Sequence, residues 1–381
     1  MPKKCFLEAI ATLIGCVVGA GVLGIPYVIA KSGLLFGLID IILLGTAVTV
    51  LNLYFGEVVL RTNGNHQLTG YAEKYFGKRG KAIMLVSSGL LIYGAMLAYI
   101  EGSGEALSAM FGLSPFFSSL LFFILFSGLI YLGLKAIEES ELFMTAAKIL
   151  IFLGICALIL FSGKFNPGNL MTMNAAYAFY PYGVILFAFL GLACIPELKE
   201  ELSANRKELK KAIITGSLVV LSIYILFALC VVGATGRGTT EVATIGLGEY
   251  LGNIALIAGN CFAVIAMATS FLALGLALKE MFQYDYKLSH DLAWILTCIV
   301  PFGLFLLGLT NFIEIIAVAG AITGGVEGIM VVLMHRAAKK MGDRKPEYTI
   351  KGSTFVYITL IGLLVFGIIY QSIMALGLFS L

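Results

Sequence analysis

The sequence predicts an all-α integral membrane protein, and three observations carry that reading. Of its 381 residues 60% are hydrophobic and only 12% charged, against roughly 25% charged in a soluble protein. Apolar runs of the length a helix needs to cross about 30 Å of hydrocarbon recur from one end of the chain to the other. Two of these runs, five apart in order, are interrupted by clustered Gly and Pro. The same composition excludes disorder and a secreted disulfide scaffold, and a net charge of +3 is too small to draw a nucleic acid. The expected partner is the lipid bilayer. Long alternating segments of the kind an outer-membrane barrel needs are absent from the sequence.

Eleven spans are expected, near 6–30, 33–60, 82–111, 115–134, 142–163, 177–198, 211–235, 253–279, 289–309, 311–334 and 353–380. Charged stretches or Gly/Pro breaks separate them in order: Lys31, then 61–81, Gly112 to Pro115, Lys135, Lys164, 199–211, Arg237, 279–287, the junction at Leu309–Asn311, and 336–351. That junction is the place where one re-entrant element is the alternative to two spans. With the amino terminus in the cytoplasm, only Lys31, Lys164 and Arg237 lie outside and Lys148 lies within a span, leaving 21 of the 25 Lys and Arg inside. The positive-inside rule therefore places the amino terminus inside and the carboxyl terminus outside. The long first span, followed by ten others, is a membrane segment rather than a cleaved leader.

Seven Cys fall almost entirely within spans and without His neighbours, and the three His (66, 290 and 335) lie far apart beside cytoplasmic loops. They read as surface histidines. With neither convergent acids and bases nor metal-ligand spacing, no enzyme, metal or cofactor is expected.

The first span contains Gly15-Cys16-Val17-Val18-Gly19-Ala20-Gly21-Val22-Leu23-Gly24-Ile25-Pro26. Gly costs about 1 kcal/mol and Pro about 3 in a helix interior, and in lipid every freed backbone group must find a partner inside the protein. Gly15 and Gly19 also have the spacing of a helix-packing face, the alternative for this motif alone. The sixth span repeats the pattern with Phe187-Ala188-Phe189-Leu190-Gly191-Leu192-Ala193-Cys194-Ile195-Pro196-Glu197. Because five crossings are an odd number, a second unit of five enters the membrane inverted. Residues 1–163 and 177–334 are expected to be the two repeats, with 353–380 an additional eleventh helix in a single transmembrane domain. Interrupted spans at corresponding places in two halves point to a midplane binding site. Half-helix N–H groups suit a carboxylate and freed carbonyls suit an ammonium, and an α-amino acid offers both.

Gly19-Ala20-Gly21-Val22-Leu23 with Ile25-Pro26, and Phe187-Ala188-Phe189 with Gly191 and Ile195-Pro196-Glu197, resemble the amino acid/auxin permease family of the amino acid–polyamine–cation superfamily. The resemblance extends over essentially the whole chain. It implies a LeuT-like 5+5 inverted repeat with broken helices 1 and 6 and an amino acid as substrate. By matching breaks, it implies that the N–H groups of Ala20, Gly21 and Val22 receive the carboxylate. The carbonyls of Val17, Phe187, Ala188 and Leu190 would then receive the ammonium.

Lys148 lies about two turns inside the fifth span, where a charge costs about 2.5–3.5 kcal/mol on insertion scales. Snorkelling to the cytoplasmic face is the alternative to a functional role. The eighth span carries the paired hydroxyls Thr269 and Ser270. The family resemblance implies that such hydroxyls, with the carbonyls of Gly15 and Val18, bind sodium, and that a fifth-span lysine replaces the ion in proton-coupled members. The expectation is thus a proton-driven symporter, with a sodium-coupled symporter using those four residues as the alternative and a nontransporting sensor as another.

Other polar residues are less specific. Tyr93 and Tyr99 of the third span are candidates to line the substrate path, Glu101 and Glu105 to face a vestibule, and Asp40 and Glu57 to sit at the interfaces. Glu327 follows a small-residue stretch and is open to a proton or gating role, or to packing. No charged residue falls within the core of either break, and Phe187 and Phe189 suggest an apolar wall, so a neutral, hydrophobic or aromatic amino acid is expected. One chain can hold the whole site, hence a functional monomer in the cell membrane.

Overall fold

The computed structural model describes residues 2–308 and 311–376. Residues 309 and 310 of the Leu309–Asn311 junction and the end of the last expected span, 377–380, lie outside them. Fifteen α-helices follow one another among the described residues: α1 Pro2–Val17, α2 Ala20–Ser32, α3 Leu34–Arg61, α4 Leu68–Phe111, α5 Pro115–Leu132, α6 Leu134–Phe161, α7 Tyr182–Phe189, α8 Ile195–Glu201, α9 Leu209–Thr235, α10 Ala243–Leu251, α11 Asn253–Glu280, α12 His290–Leu306, α13 Phe312–Val318, α14 Gly325–Met341 and α15 Thr354–Ala375. Nine helical stretches are long and apolar enough to cross a membrane, α1 and α2 form a tenth bent by 53°, and α12 is apolar over 17 residues.

Both expected breaks are present. α1 stops at Val17 and α2 restarts at Ala20 with Gly19 in a non-helical conformation. α7 stops at Phe189, Leu190 is extended, and a short 3-10 turn over Leu192–Cys194 leads into Ile195-Pro196 at the start of α8. Proline is tolerated there because the first turn needs no N–H donor. These broken spans occupy the centre: Tyr182–Glu201 is almost wholly buried, whereas Thr354–Ala375 is mostly exposed to what would be lipid. Large apolar side chains such as Ile39, Leu90, Ile124, Leu150 and Ile358 form the exposed belt.

The stretch 61–81, expected as a loop, is helical from Leu68. Gly77, at φ +64°, kinks α4, and the segment before it is amphipathic, burying Tyr71, Ala72 and Tyr75. Asp285, after α11, accepts from Thr69 Oγ1 at 2.6 Å and the Gly70 N–H at 2.8 Å, which ties this segment to the end of the eighth span. α10 is a further helix that the apolar pattern did not show.

Four polar expectations are corrected. His335 is fully buried, not a surface histidine, and Glu57 beside it is equally buried, not interfacial. Glu57 accepts from Arg61 Nε at 2.8 Å and from the Ile350 N–H at 2.6 Å, and its Oε2 lies 3.0 Å from His335 Nε2. His335 stacks on Tyr54 at 3.9 Å and reaches the Tyr357 hydroxyl at 2.9 Å through Nδ1. The carboxylate thereby joins α3, α14, α15 and the segment between the last two. Asp40 is buried too, and so is Glu101, while Glu105 is exposed. On the same face as the Glu57 cluster, the Lys74 ammonium and the Asn63 N–H hold the Asp343 carboxyl below its usual range.

Removing one member of a buried, hydrogen-bonded charge pair strands the other. Glu57→Leu is expected to cost about 3 kcal/mol or more, read as a lowered unfolding midpoint in detergent. Glu8→Ala, which removes only the exposed pair with Lys4, is expected to leave that midpoint essentially in place.

Candidate functional site

Breaking a helix in the middle of a bundle releases the carbonyls of its last turn and the N–H groups of the next first turn. At the end of α1 the released carbonyls are met from three other spans. Lys148 on α6, 1% exposed, directs Nζ at Val18 O (3.1 Å), Ile14 O (3.4 Å) and Gly15 O (3.4 Å), and at Thr269 Oγ1 on α11 (3.0 Å). Ser270 Oγ donates to Gly15 O at 2.9 Å. A lysine snorkelling to the membrane face would make none of these bonds, so the buried placement holds. A cation at the carboxyl end of a half-helix is also favoured by the helix dipole.

The second convergence was not foreseen. Tyr224 on α9, fully buried, lies with its hydroxyl 2.9 Å from Val17 O and 2.6 Å from Ala188 O. One phenolic proton is shared between the two breaks, on two of the four carbonyls expected to receive an ammonium. Of the other two, Phe187 O accepts the Leu190 N–H at 3.2 Å, and Leu190 itself lines the cavity described next. Nothing in the sequence distinguishes Tyr224 from the other 16 Tyr; only the packing of α9 against both breaks does.

Ala20, Gly21 and Val22 form the first turn of α2, where no preceding turn supplies carbonyls to their N–H groups. The two breaks touch: a Cβ on Gly21 would come within 2.5 Å of Ala188 Cα, and one on Gly19 within 2.5 Å of Ser270 Oγ. These glycines are therefore required by close approach. Between the breaks, α4 and α14 is a small cavity of about 30 Å³ lined by Val17, Tyr99, Phe187, Leu190, Leu274 and Glu327 among others. Tyr93 is not among its lining; its hydroxyl donates to Leu296 O on α12 at 2.9 Å. Phe189 instead packs edge-on against Tyr224 at 4.9 Å. A larger cavity of about 240 Å³ holds Lys31 and Arg237, two of the three basic residues expected outside, and includes no residue of either break.

Tyr224→Phe keeps the ring and deletes the shared proton. Two buried carbonyls then lose a donor, at about 1–3 kcal/mol, and the expected result is a lower unfolding midpoint of the substrate-free protein in detergent. Gly21→Val, which forces the breaks apart, is expected to abolish substrate binding even where the protein folds; intact binding would contradict the contact between the breaks.

Comparison with known proteins identifies the family and the fold. The model of the tryptophan/tyrosine permease family matches residues 2–371. The chain is 27% identical to Tyrosine-specific transport system 1 of Haemophilus influenzae, over 94% of each chain. It is 26% identical to Glutamine transporter 2 of Aliivibrio fischeri, over 84% of this chain and 86% of that one. It is also 26% identical to the Tryptophan-specific transport protein of Pseudomonas aeruginosa, over 86% and 84%. Among solved structures, that of MhsT in complex with L-phenylalanine superposes with a TM-score of 0.70 at 16% identity, covering 98% of each chain. That likeness establishes the LeuT-like fold.

Proposed function

The chain belongs to the tryptophan/tyrosine permease family, and from that premise we propose that it is a proton-coupled symporter of neutral L-amino acids with aromatic or other largely apolar side chains. The relatives named for tyrosine and tryptophan transport support the substrate class. The breaks supply the means: first-turn N–H groups of α2 for the carboxylate, and the carbonyls around Tyr224 for the ammonium. Only the cavity between them distinguishes one side chain from another.

The observation that carries the coupling is the position of Lys148 Nζ, 3.0–3.4 Å from three carbonyls at the α1 break and Thr269. Protonated, it is a fixed cation linking the first, fifth and eighth spans. Loss of the proton removes the charge-assisted part of those bonds, which are roughly twice as strong as neutral ones, and frees the α1 half-helix to move. Binding on one side and release on the other would then follow alternating access, with eleven crossings, an inverted second repeat over 177–334 and the last helix outside the repeats. The distribution of Lys and Arg favours a cytoplasmic amino terminus in the cell membrane, and one chain contains the whole site.

Sodium coupling is the second reading, and the retained Thr269 and Ser270 hydroxyls favour it. The two differ in a reconstituted uptake assay with L-tyrosine and L-tryptophan. An inward proton gradient should drive accumulation without sodium; a sodium requirement with indifference to pH would contradict proton coupling. In Lys148→Ala, substrate binding is expected to persist while the gradient no longer drives uptake, and an unchanged pH dependence would remove Lys148 from the mechanism. A sensor that does not transport would bind substrate and show no accumulation under either gradient.

A further inference from the structure

Glu327 is not used by the backbone site. It is 2% exposed, it lies near Ser88 of α4, whose hydroxyl donates to Met84 Sδ, and its Oε2 has no hydrogen-bond partner. Burying a polar atom without a partner is unfavourable, so an apolar residue would serve packing better. Its placement is built into the helix. A π turn over Ala319–Gly324 immediately precedes α14, and such turns recur at functional sites. Within it, Gly320 lies so close to α7 that a Cβ would meet Gly183 O and Phe187. The turn thus sets tenth-span residues directly against the sixth-span break.

Glu327 lines the same cavity as Val17, Phe187 and Leu190, and apart from Tyr99 and Cys16 the remaining lining is aliphatic. It is the only carboxylate in that lining among the described residues. The cavity, about 30 Å³, is smaller than an aromatic ring, so admitting one requires lining such as Leu91 and Leu274 to move apart.

We infer that Glu327 determines specificity: its unpartnered carboxyl oxygen accepts a hydrogen bond from the side chain of the carried amino acid. It selects substrates that are largely apolar but bear one N–H or O–H, such as a phenol or an indole, over phenylalanine. The inference rests on the amino acid transport reading. The chemistry gives such a group leverage, because a site built to hydrogen-bond a substrate N–H or O–H rejects an analogue without it far more strongly than an apolar pocket rejects a change of one methylene.

The test is equilibrium binding of L-tyrosine, L-tryptophan, L-phenylalanine and O-methyl-L-tyrosine to the full-length protein and to its Glu327→Gln and Glu327→Leu variants. The wild-type protein is expected to prefer tyrosine and tryptophan over the two compounds lacking the donor by about tenfold or more. Gln keeps an acceptor carbonyl and most of that preference. Leu brings the four within about threefold of one another while phenylalanine binding persists. An unchanged preference in Glu327→Leu overturns the inference, as does equal binding of O-methyl-L-tyrosine and tyrosine to the wild type, which needs no variant to fold. Equal loss of all four in Glu327→Leu would assign the carboxyl to the shared ammonium and also overturn it. If none of the four binds the wild type, the transport reading falls as well; if they bind without discrimination, only this inference falls.

Discussion

A half-helix ending inside a bundle leaves carbonyls that no water can reach, and the architecture of this protein is arranged around satisfying them. At the α1 break the carbonyls of Gly15 and Val18, together with those of Ile14 and Val17, which also accept the Val18 and Gly19 N–H groups, meet side-chain donors from Lys148, Ser270 and Tyr224, on α6, α11 and α9. Each donor is buried and each arrives from a different span. The break therefore dictates which helices surround it. Gly19 and Gly21 follow from the same requirement, since Ser270 and Ala188 come too close for a side chain at either position.

This clasp is loaded unevenly. Lys148 Nζ meets three carbonyls at once, whereas Tyr224 has one proton for two carbonyls on two different spans. A charged ligand arriving between the breaks competes with the phenol on better terms than with the ammonium, because charge-assisted hydrogen bonds are about twice as strong as neutral ones. On the proposed reading, the ammonium of a substrate and that of Lys148 serve neighbouring groups of carbonyls, one exchangeable and one fixed. Far from this centre, the Glu57–His335–Tyr357 cluster joins α3, α14 and α15 at the face that carries the amino terminus.

The parts legible in the sequence were those with a local signature. Gly15 to Pro26 and Phe187 to Pro196 announce themselves because Gly and Pro are costly inside a helix, and Lys148 because a charge is costly inside an apolar run. Thr269 and Ser270 became informative only through the family resemblance, and the structure brings both to the α1 break. Tyr224, His335 and Glu57 were missed or misread because their partners lie on spans remote in sequence: Glu57 and His335 are 278 residues apart. Tyr93 was favoured on its place in the third span, but the face of a helix decides, and Tyr99 is the one that meets the cavity. The helix from Leu68 was hidden for a related reason: its apolar stripe is half-width, interspersed with Lys and Glu, and reads as a solvated loop until α11 packs beside it.

The central claim is that the two breaks together form the substrate site. Amide hydrogen exchange of the protein in lipid nanodiscs, with and without saturating L-tyrosine or L-tryptophan, tests it most directly. Exchange is expected to slow on binding at the amides of residues 19–22 and 187–191, with little change along Thr354–Ala375 at the periphery. Unchanged exchange at both breaks, with protection appearing instead around the cavity that holds Lys31 and Arg237, would contradict it.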